Sequence, residues 1–371
     1  MKKIDQLILT AGPSITEKEI SYVTDAVKNG WNNQWNKYLL KLENEFAKYI
    51  GVKHAIPTTS CTGAMHLALK GLGIKPGDEV IVPDTTWMST AAVVTYVGAK
   101  PVFVDIEKDT WCIDPESMKK AITPKTKAIM PVHLYGGLAK MDQIMLIAQQ
   151  HNLLVIEDAA PSLGATYKGK KTGSFGTASA FSFQGAKVMT TGEGGIFLTD
   201  NEELYTNVAK IADQGRSYTK PLWNDEIGLK YKMSNLQAAM GVAQLERLEE
   251  LVNKKRLIFS WYKDRLQNID GLTMNVELPD TRNTFWMTTI VMEKDFGLTR
   301  DQFMTKLKEW NVDSRPVFYP LSHMPMFELK HNINSEKFSQ SGINLPSGHN
   351  LTEKDIEYIC HVIHYLLEVK Q

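Results

Sequence analysis

The stretch Leu153-Leu-Val-Ile156-Glu-Asp158-Ala-Ala160 runs from an apolar segment straight into an acidic residue. It reads as a strand covered on both faces, with the acid at its C-terminal end, where open α/β sheets hold their ligands. Working outward, Glu79–Val82, Pro101–Val104 and Ala128–Val132 precede it as similar runs, and Ala178–Phe183 and Gly195–Leu198 follow. Helical patterns separate several of them, at Thr62–Leu72, Thr90–Val97, Pro115–Ala121 and Met141–His151. Short apolar runs alternating with longer amphipathic stretches indicate crossover connections. The expected fold class is α/β, a mixed, mainly parallel sheet sandwiched by helices.

Near residue 230 the texture changes. Ser234-Asn-Leu-Gln237 has the form of a capping box, and apolar residues recur at Leu236, Met240, Ala243, Leu248, Leu251 and Ile258. This spacing predicts one long helix, reaching as far as Leu266, whose apolar stripe packs into a core. Beyond it a strand-like Phe285–Val291, a helix over Thr299–Trp310 and a closing helix over Thr352–Glu368 suggest a smaller α+β domain. The expected division is 1–245 for a large cofactor-binding domain and 246–371 for a small C-terminal one. Whether the N-terminal segment packs on the small domain is left open.

Composition narrows the function classes. With 42 Lys+Arg against 42 Asp+Glu, the formal charge is zero. Neither nucleic acid nor an anionic membrane is an expected partner, since both require a positive field. No apolar run approaches the roughly 18–20 residues of a membrane-spanning helix, and Leu7–Leu9 is too short for a signal sequence. Cys61, Cys112 and Cys360 are an odd set without metal-ligand spacing, so they read as thiols in a reducing compartment, with no metal site expected. A cytoplasmic location follows as the expectation.

Four local features carry chemistry. In Phe181-Ser-Phe-Gln-Gly-Ala-Lys187, followed by Thr190-Thr-Gly-Glu-Gly-Gly195, small residues beside Lys187 leave room for a flat partner next to its amine. A lysine attacks carbonyls only when partly neutral, which a confined site can arrange. Asp158 could hold a proton on a pyridine nitrogen, making the ring an electron sink, or it could simply cap a helix. Thr58-Thr-Ser60-Cys-Thr62-Gly63 opens a helix with hydroxyls and free amides, either a plain cap or a cradle for one phosphate. Trp87, after Pro83-Asp-Thr-Thr, could stack on a ring or belong to a core. Separately each has an ordinary explanation. Together they describe the needs of pyridoxal phosphate: an amine for its aldehyde, an acid for its nitrogen, a phosphate cradle and a stacking ring.

With these residues in place the chain resembles the DegT-type sugar aminotransferases, fold-type I pyridoxal-phosphate enzymes acting on nucleotide-linked keto-sugars. The resemblance covers nearly the whole chain, through Gly77-Asp-Glu-Val-Ile-Val-Pro83, Lys127-Ala-Ile-Met-Pro-Val-His-Leu-Tyr-Gly136, Tyr167-Lys-Gly-Lys-Lys-Thr-Gly-Ser-Phe-Gly176, Tyr231-Lys-Met-Ser-Asn-Leu-Gln-Ala-Ala239 and Arg315-Pro-Val-Phe-Tyr-Pro320. It implies that Lys187 is the Schiff-base lysine and that Asp158 pairs with the pyridine nitrogen. Trp87 would stack on the ring, while Thr62, the Gly63 backbone and Ser182 would bind the phosphate. The family is dimeric with shared sites, which implies that Lys230 reaches the neighbour's phosphate.

The chain departs from the family at three places. Lys230 replaces a frequent Asn, Pro161 stands where members place Gln, Glu or His, and Ser60-Cys61 replaces a common Asn-Gly. Because Lys187 is kept where a dehydrating branch has His, the resemblance implies transamination.

Arg315 through Pro325 most resembles perosamine-synthase-like members, which aminate position 4 of a keto-deoxysugar on a nucleoside diphosphate. The expected substrates are thus a nucleotide-linked 4-keto-6-deoxyhexose, GDP-linked first, and glutamate as amino donor. The setting would be surface-polysaccharide or lipopolysaccharide O-antigen synthesis. For the sugar nucleotide the sequence offers Trp31, Asn32 and Trp35 in an amide-rich aromatic loop, and Arg315, Tyr319 and His323 in the C-terminal part. Packing of the tryptophans and a structural ion pair at Arg315 are the alternatives. A keto-cyclitol or free keto-sugar acceptor, or a non-catalytic cofactor-binding sugar sensor, are the competing functions.

Overall fold

In the computed structural model, which describes residues 2–368, the apolar runs become one seven-stranded sheet. Through the large part of the chain the strands are β1 (His54–Thr58), β2 (Glu79–Pro83), β3 (Lys100–Val104), β4 (Thr126–Ile129), β5 (Leu154–Asp158), β6 (Thr166–Tyr167), β7 (Lys170–Lys171), β8 (Ala178–Ser182) and β9 (Gly195–Thr199). The order β1-β9-β8-β5-β4-β2-β3 has β3, β2, β4, β5 and β8 parallel. Only β9 runs against its neighbours β8 and β1. The α/β class with a mainly parallel sheet is as the sequence indicates. β1 was not apparent there; it is an edge strand interrupted by Pro57, a place where a missing amide is tolerated.

Helices cover both faces because buried parallel strands need apolar layers on each side. On one side β2, β4 and β5 send Ile81, Ile129 and Val155 toward Phe46 and Met141; on the other Val80, Ala128 and Ile156 meet helix Cys61–Gly71 through Leu67 and Ala68. Alternate residues of one strand thus serve opposite layers.

The long helix expected after Ser234 is two helices, Asn235–Leu245 and Leu248–Leu266. The Ser234–Gln237 capping box is present. The break falls at Arg247, whose guanidinium is drawn to Glu19, Glu250 and the carbonyl of Ser14. No Gly or Pro marks that position, so the interruption is imposed by the N-terminal segment rather than by helix propensity.

The C-terminal part adds β10 (Leu272–Met274), β11 (Thr281–Arg282), β12 (Thr289–Met292), β13 (Arg315–Pro316) and β14 (Gly342–Asn344). Four of these form an antiparallel sheet in the order β10-β12-β14-β13, while β11 pairs with β6 of the large sheet's connection. The strand expected at Phe285–Val291 starts only at Thr289, because Phe285 turns the backbone into the left-handed region at φ +48°. The N-terminal segment joins this part: Ile8 bridges Val312 and enters its core, and Thr10 bonds to Asp313. Cys61, Cys112 and Cys360 are free and buried. Among the described residues no helix is long and apolar enough to cross a membrane.

Candidate active site

A cleft of about 530 Å³ opens at the C-terminal ends of the parallel strands, lined by Thr62, Trp87, Asp158, Ser182, Lys187 and Arg315. β5 ends on Asp158, β8 ends on Ser182, and the turn after β8 carries Lys187. Strand ends are where the backbone leaves the sheet, so side chains from several strands converge there.

Asp158 is 4% exposed. One carboxylate oxygen accepts from the Thr90 hydroxyl at 2.7 Å and the other from the Ala160 amide at 3.2 Å. Burial pushes its carboxyl above the ordinary carboxylate value, while the Thr90 and Ala160 hydrogen bonds and the Lys187 charge pull the other way. Behind it, Glu157 accepts from the amides of Gly173, Phe175 and Gly176 and meets buried His133 at 3.1 Å. The acid therefore stands on a fully bonded, rigid base.

Lys187 has no ion-pair partner among the described residues; its amine lies 3.7 Å from the centre of the Trp286 ring. Enclosure lowers its pKa to about 8, against the opposing charge of Asp158. At that value about a tenth of the amine is neutral at pH 7, far more than for an ordinary lysine, and nucleophilic attack on a carbonyl needs that neutral form.

The phosphate cradle is the start of helix Cys61–Gly71. Ser60 caps it, its hydroxyl accepting the Gly63 amide at 3.0 Å. That bond commits Gly63, which does not line the cleft and lies against the Tyr231 ring. The first helical amides, of Cys61 and Thr62, have no intrahelical partner; both residues line the cleft together with Ser182, and the Thr62 hydroxyl bonds to Ser89 at 2.9 Å. An anion is favoured there by the helix dipole as well. Gly195 makes the approach possible: a β-carbon on it would lie 2.3 Å from the Cys61 nitrogen.

The other sequence candidates divide. Trp87 is 63% exposed at the cleft mouth and tilts against Phe318. Arg315 lines the cleft and sits 3.5 Å from Asp313. Tyr319 and His323 do not line it: the Tyr319 hydroxyl is held by Arg300 at 3.0 Å, and His323 is turned to Glu336, which His331 also binds. Trp31, Asn32 and Trp35 also lie outside it. The Trp31 indole donates to the Val27 carbonyl, and Lys232 lies over Trp35. Lys230 is exposed, its one ion-pair approach among the described residues being to Asp213 at 3.8 Å. Pro161 is in the lining.

Sequence reasoning missed Tyr135, Trp286 and Phe318, stacked rings on one cleft wall, and Asn344 beside them. They come from three segments far apart in the chain, and isolated aromatics carry no local signal distinguishing a cleft wall from a core.

The residues fit pyridoxal phosphate. A lysine amine in the cleft with no ion-pair partner among the described residues, a buried acid and a helix start without intrahelical partners for its first amides match its aldehyde, ring nitrogen and phosphate.

The comparisons agree. The profile of the DegT/DnrJ/EryC1/StrS aminotransferase family matches residues 13–364. The chain is 41% identical to the GDP-perosamine synthase of Caulobacter vibrioides over 97% of this chain and 98% of that one. It is 40% identical to the GDP-perosamine synthase of Escherichia coli O157:H7, over 95% and 96%. Spr1654 from Streptococcus pneumoniae, solved in a PLP form, superposes with a TM-score of 0.91 at 26% identity, covering 98% of this chain and 100% of that one. The chain belongs to the DegT/DnrJ/EryC1/StrS aminotransferase family and is a pyridoxal-phosphate-dependent aminotransferase.

Proposed function

We propose that the enzyme moves an amino group from glutamate to the keto carbon of a nucleoside-diphosphate-linked 4-keto-6-deoxyhexose, with the GDP-linked sugar as first choice. The observation that carries this reading is Arg315, which lines the same cleft as Lys187 and Asp158 and opens the segment that resembles perosamine-synthase-like members. A guanidinium offers a bidentate fork to a diphosphate, which a free sugar or cyclitol lacks. The two relatives above, both GDP-perosamine synthases, support the choice of nucleotide.

Bound in the cleft, pyridoxal phosphate supplies an aldehyde for amine exchange and a ring that takes up electrons from the substrate carbon. Lys187 would hold that aldehyde at rest, and its free amine would carry the proton to and from the substrate carbon. Asp158 would hold a proton on the ring nitrogen, its carboxylate oriented by the Thr90 hydroxyl. Thr62, Ser182 and the amides at the helix start would hold the phosphate, and Trp87 would stack on the ring. The same residues serve both half-reactions, so donor and acceptor use the cleft in turn. Lys230 completes the phosphate site of a second subunit, which makes the working assembly a homodimer.

The test is to supply glutamate with a panel of acceptors and to read 2-oxoglutarate together with the aminated product by mass spectrometry. The GDP-linked 4-keto-6-deoxyhexose should react fastest. Turnover of a free keto-cyclitol with no nucleotide-linked sugar accepted would overturn the substrate assignment. Binding of the sugar without any 2-oxoglutarate would favour a sensor.

A further inference from the structure

Trp286 belongs to the C-terminal part of the chain, 99 positions beyond the lysine in sequence, yet it reaches into the cleft. Its insertion is built into the backbone. Phe285 and Tyr135 both adopt left-handed conformations, at φ +48° and +52°, which bulky residues rarely take. At this bend the Phe285 ring stacks on Phe259, at 3.7 Å between centres, while the next side chain lines the cleft. Gly136, at φ +93°, permits the contact: a β-carbon there would lie 2.8 Å from the backbone nitrogens of both Phe285 and Trp286. Local strain of this kind persists only where surrounding packing enforces it, and it gathers at functional sites.

Two contacts then join Trp286 to the lysine. Its indole N–H donates to the carbonyl of Ala186 at 2.7 Å, fixing the residue immediately before Lys187. Its ring face lies under the Lys187 amine at 3.7 Å. The ring is 6% exposed and is backed by Tyr135, stacked at 6.0 Å, and through it by Phe318 at 5.4 Å. The Tyr135 hydroxyl in turn accepts the Phe318 amide. An aromatic face attracts an ammonium and gives nothing to a neutral amine, so this wall discriminates between the two forms of the lysine.

We propose that Trp286 is a positioning residue for Lys187, its indole N–H anchoring the lysine's turn and its ring face holding the amine whenever the amine is not bonded to the cofactor. This inference goes beyond the transamination reading, because it concerns where the released lysine rests and which protonation state that resting place favours. The proton taken from the substrate carbon is then carried on an amine that stays over the cleft instead of swinging toward solvent. Asp158 and Cys61 are the titratable groups facing the amine, from β5 and from the start of helix Cys61–Gly71. Both remain in every variant used below, so differences between variants belong to the ring.

The experiment uses protein loaded with pyridoxamine phosphate, in which Lys187 is free. Trace acetylation with acetic anhydride is followed across pH 6 to 10, as a range of about four pH units around the lysine's value, with Lys187 read by peptide mass spectrometry. Trp286→Leu should move the Lys187 midpoint down by about one pH unit, the size expected for loss of an enclosed cation–π contact. Trp286→Phe keeps a weaker face and loses the N–H, so its midpoint should fall between wild type and Leu. In turnover both variants should lower kcat more than they change KM for the donor. A Trp286 that only fills space would leave the midpoint where it is. An unchanged midpoint in Trp286→Leu, or a Phe variant that titrates above wild type, would overturn the proposal. If Trp286→Leu fails to fold, the order of wild type and Trp286→Phe decides alone.

Discussion

At the scale of single residues the site works through burial. Asp158 is surrounded by Thr90, the Ala160 amide and, behind it, the Glu157–His133 pair. Asp158→Asn keeps the shape and one acceptor for the Ala160 amide, with the Thr90 hydroxyl turned to accept, but cannot hold a proton on a ring nitrogen, so the cofactor should stay bound while turnover falls by about 10²–10⁴-fold. If Asp158 serves only as a turn cap, Asn should be nearly silent and Ala should cost about 0.5–2 kcal/mol of stability. Measuring melting temperature and rate for both variants separates the two roles, and a fully active Asn variant removes Asp158 from the chemistry. Lys187 gives a second residue-scale prediction. With its pKa lowered to about 8, the amine is mostly protonated at pH 6 and mostly neutral at pH 9. Reaction of cofactor-free protein with pyridoxal phosphate should therefore rise through pH 8 and level off above it. A midpoint near the ordinary lysine value would show that enclosure does not tune this amine. Asp158 and Lys187 were both legible in the sequence because each sits beside a strand pattern or a glycine-rich turn. Trp286 was not, since its role comes from a left-handed bend that no residue type at 285 announces.

Among the elements, the helix Leu248–Leu266 shows where pattern reading succeeds and where it stops. Leu248, Leu251 and Ile258 lie on its buried face as their spacing indicates, but so does Lys255, at the position the apolar stripe skips. Its amine donates to the carbonyl of Ser347, and burial lowers its pKa to about 7. The sign of the consequence follows from proton counting. Between pH 7 and the ordinary value of 10.5 the unfolded chain holds a proton on this lysine that the folded one has lost. Stability must then rise with pH across that window, and the penalty for burying the amine is complete below it. Lys255→Met, similar in volume and without charge, should stabilise the protein by on the order of 1–4 kcal/mol below pH 7. The gain should fade toward pH 10.5. Denaturant midpoints of both proteins at pH 6 and pH 10 test this, and a gain independent of pH would mean that the lysine is charged in the folded state throughout. The break at Arg247 marks a different limit. Its partners Glu19 and Ser14 are more than 200 positions away, so a helix end fixed by tertiary contact leaves no trace in local sequence.

For the whole molecule, the large sheet and its cleft were readable because the parallel strands are continuous apolar runs, while the substrate side was not. Arg315 reaches the cleft from β13, but Trp31, Asn32, Trp35 and Lys230 all lie outside the cleft of their own chain. An exposed lysine whose ion-pair contact among the described residues is a loose 3.8 Å gains little from its own subunit. Its position is better explained if a neighbouring copy brings an anion to it. In a two-fold dimer each site would then take Lys187 from one chain and Lys230 from the other, so damage to the two residues should complement. Lys187→Ala and Lys230→Glu are each expected to be inactive as homodimers, the first for want of the attacking amine and the second through repulsion of the phosphate. Mixed under conditions of subunit exchange, they form heterodimers in which one site carries neither change and the other carries both. Random pairing should restore about a quarter of wild-type activity, in proportion to the heterodimer fraction. Native mass spectrometry gives that fraction independently. Confirmed heterodimers without recovered turnover would place Lys230 outside the partner's site and leave each cleft to its own chain.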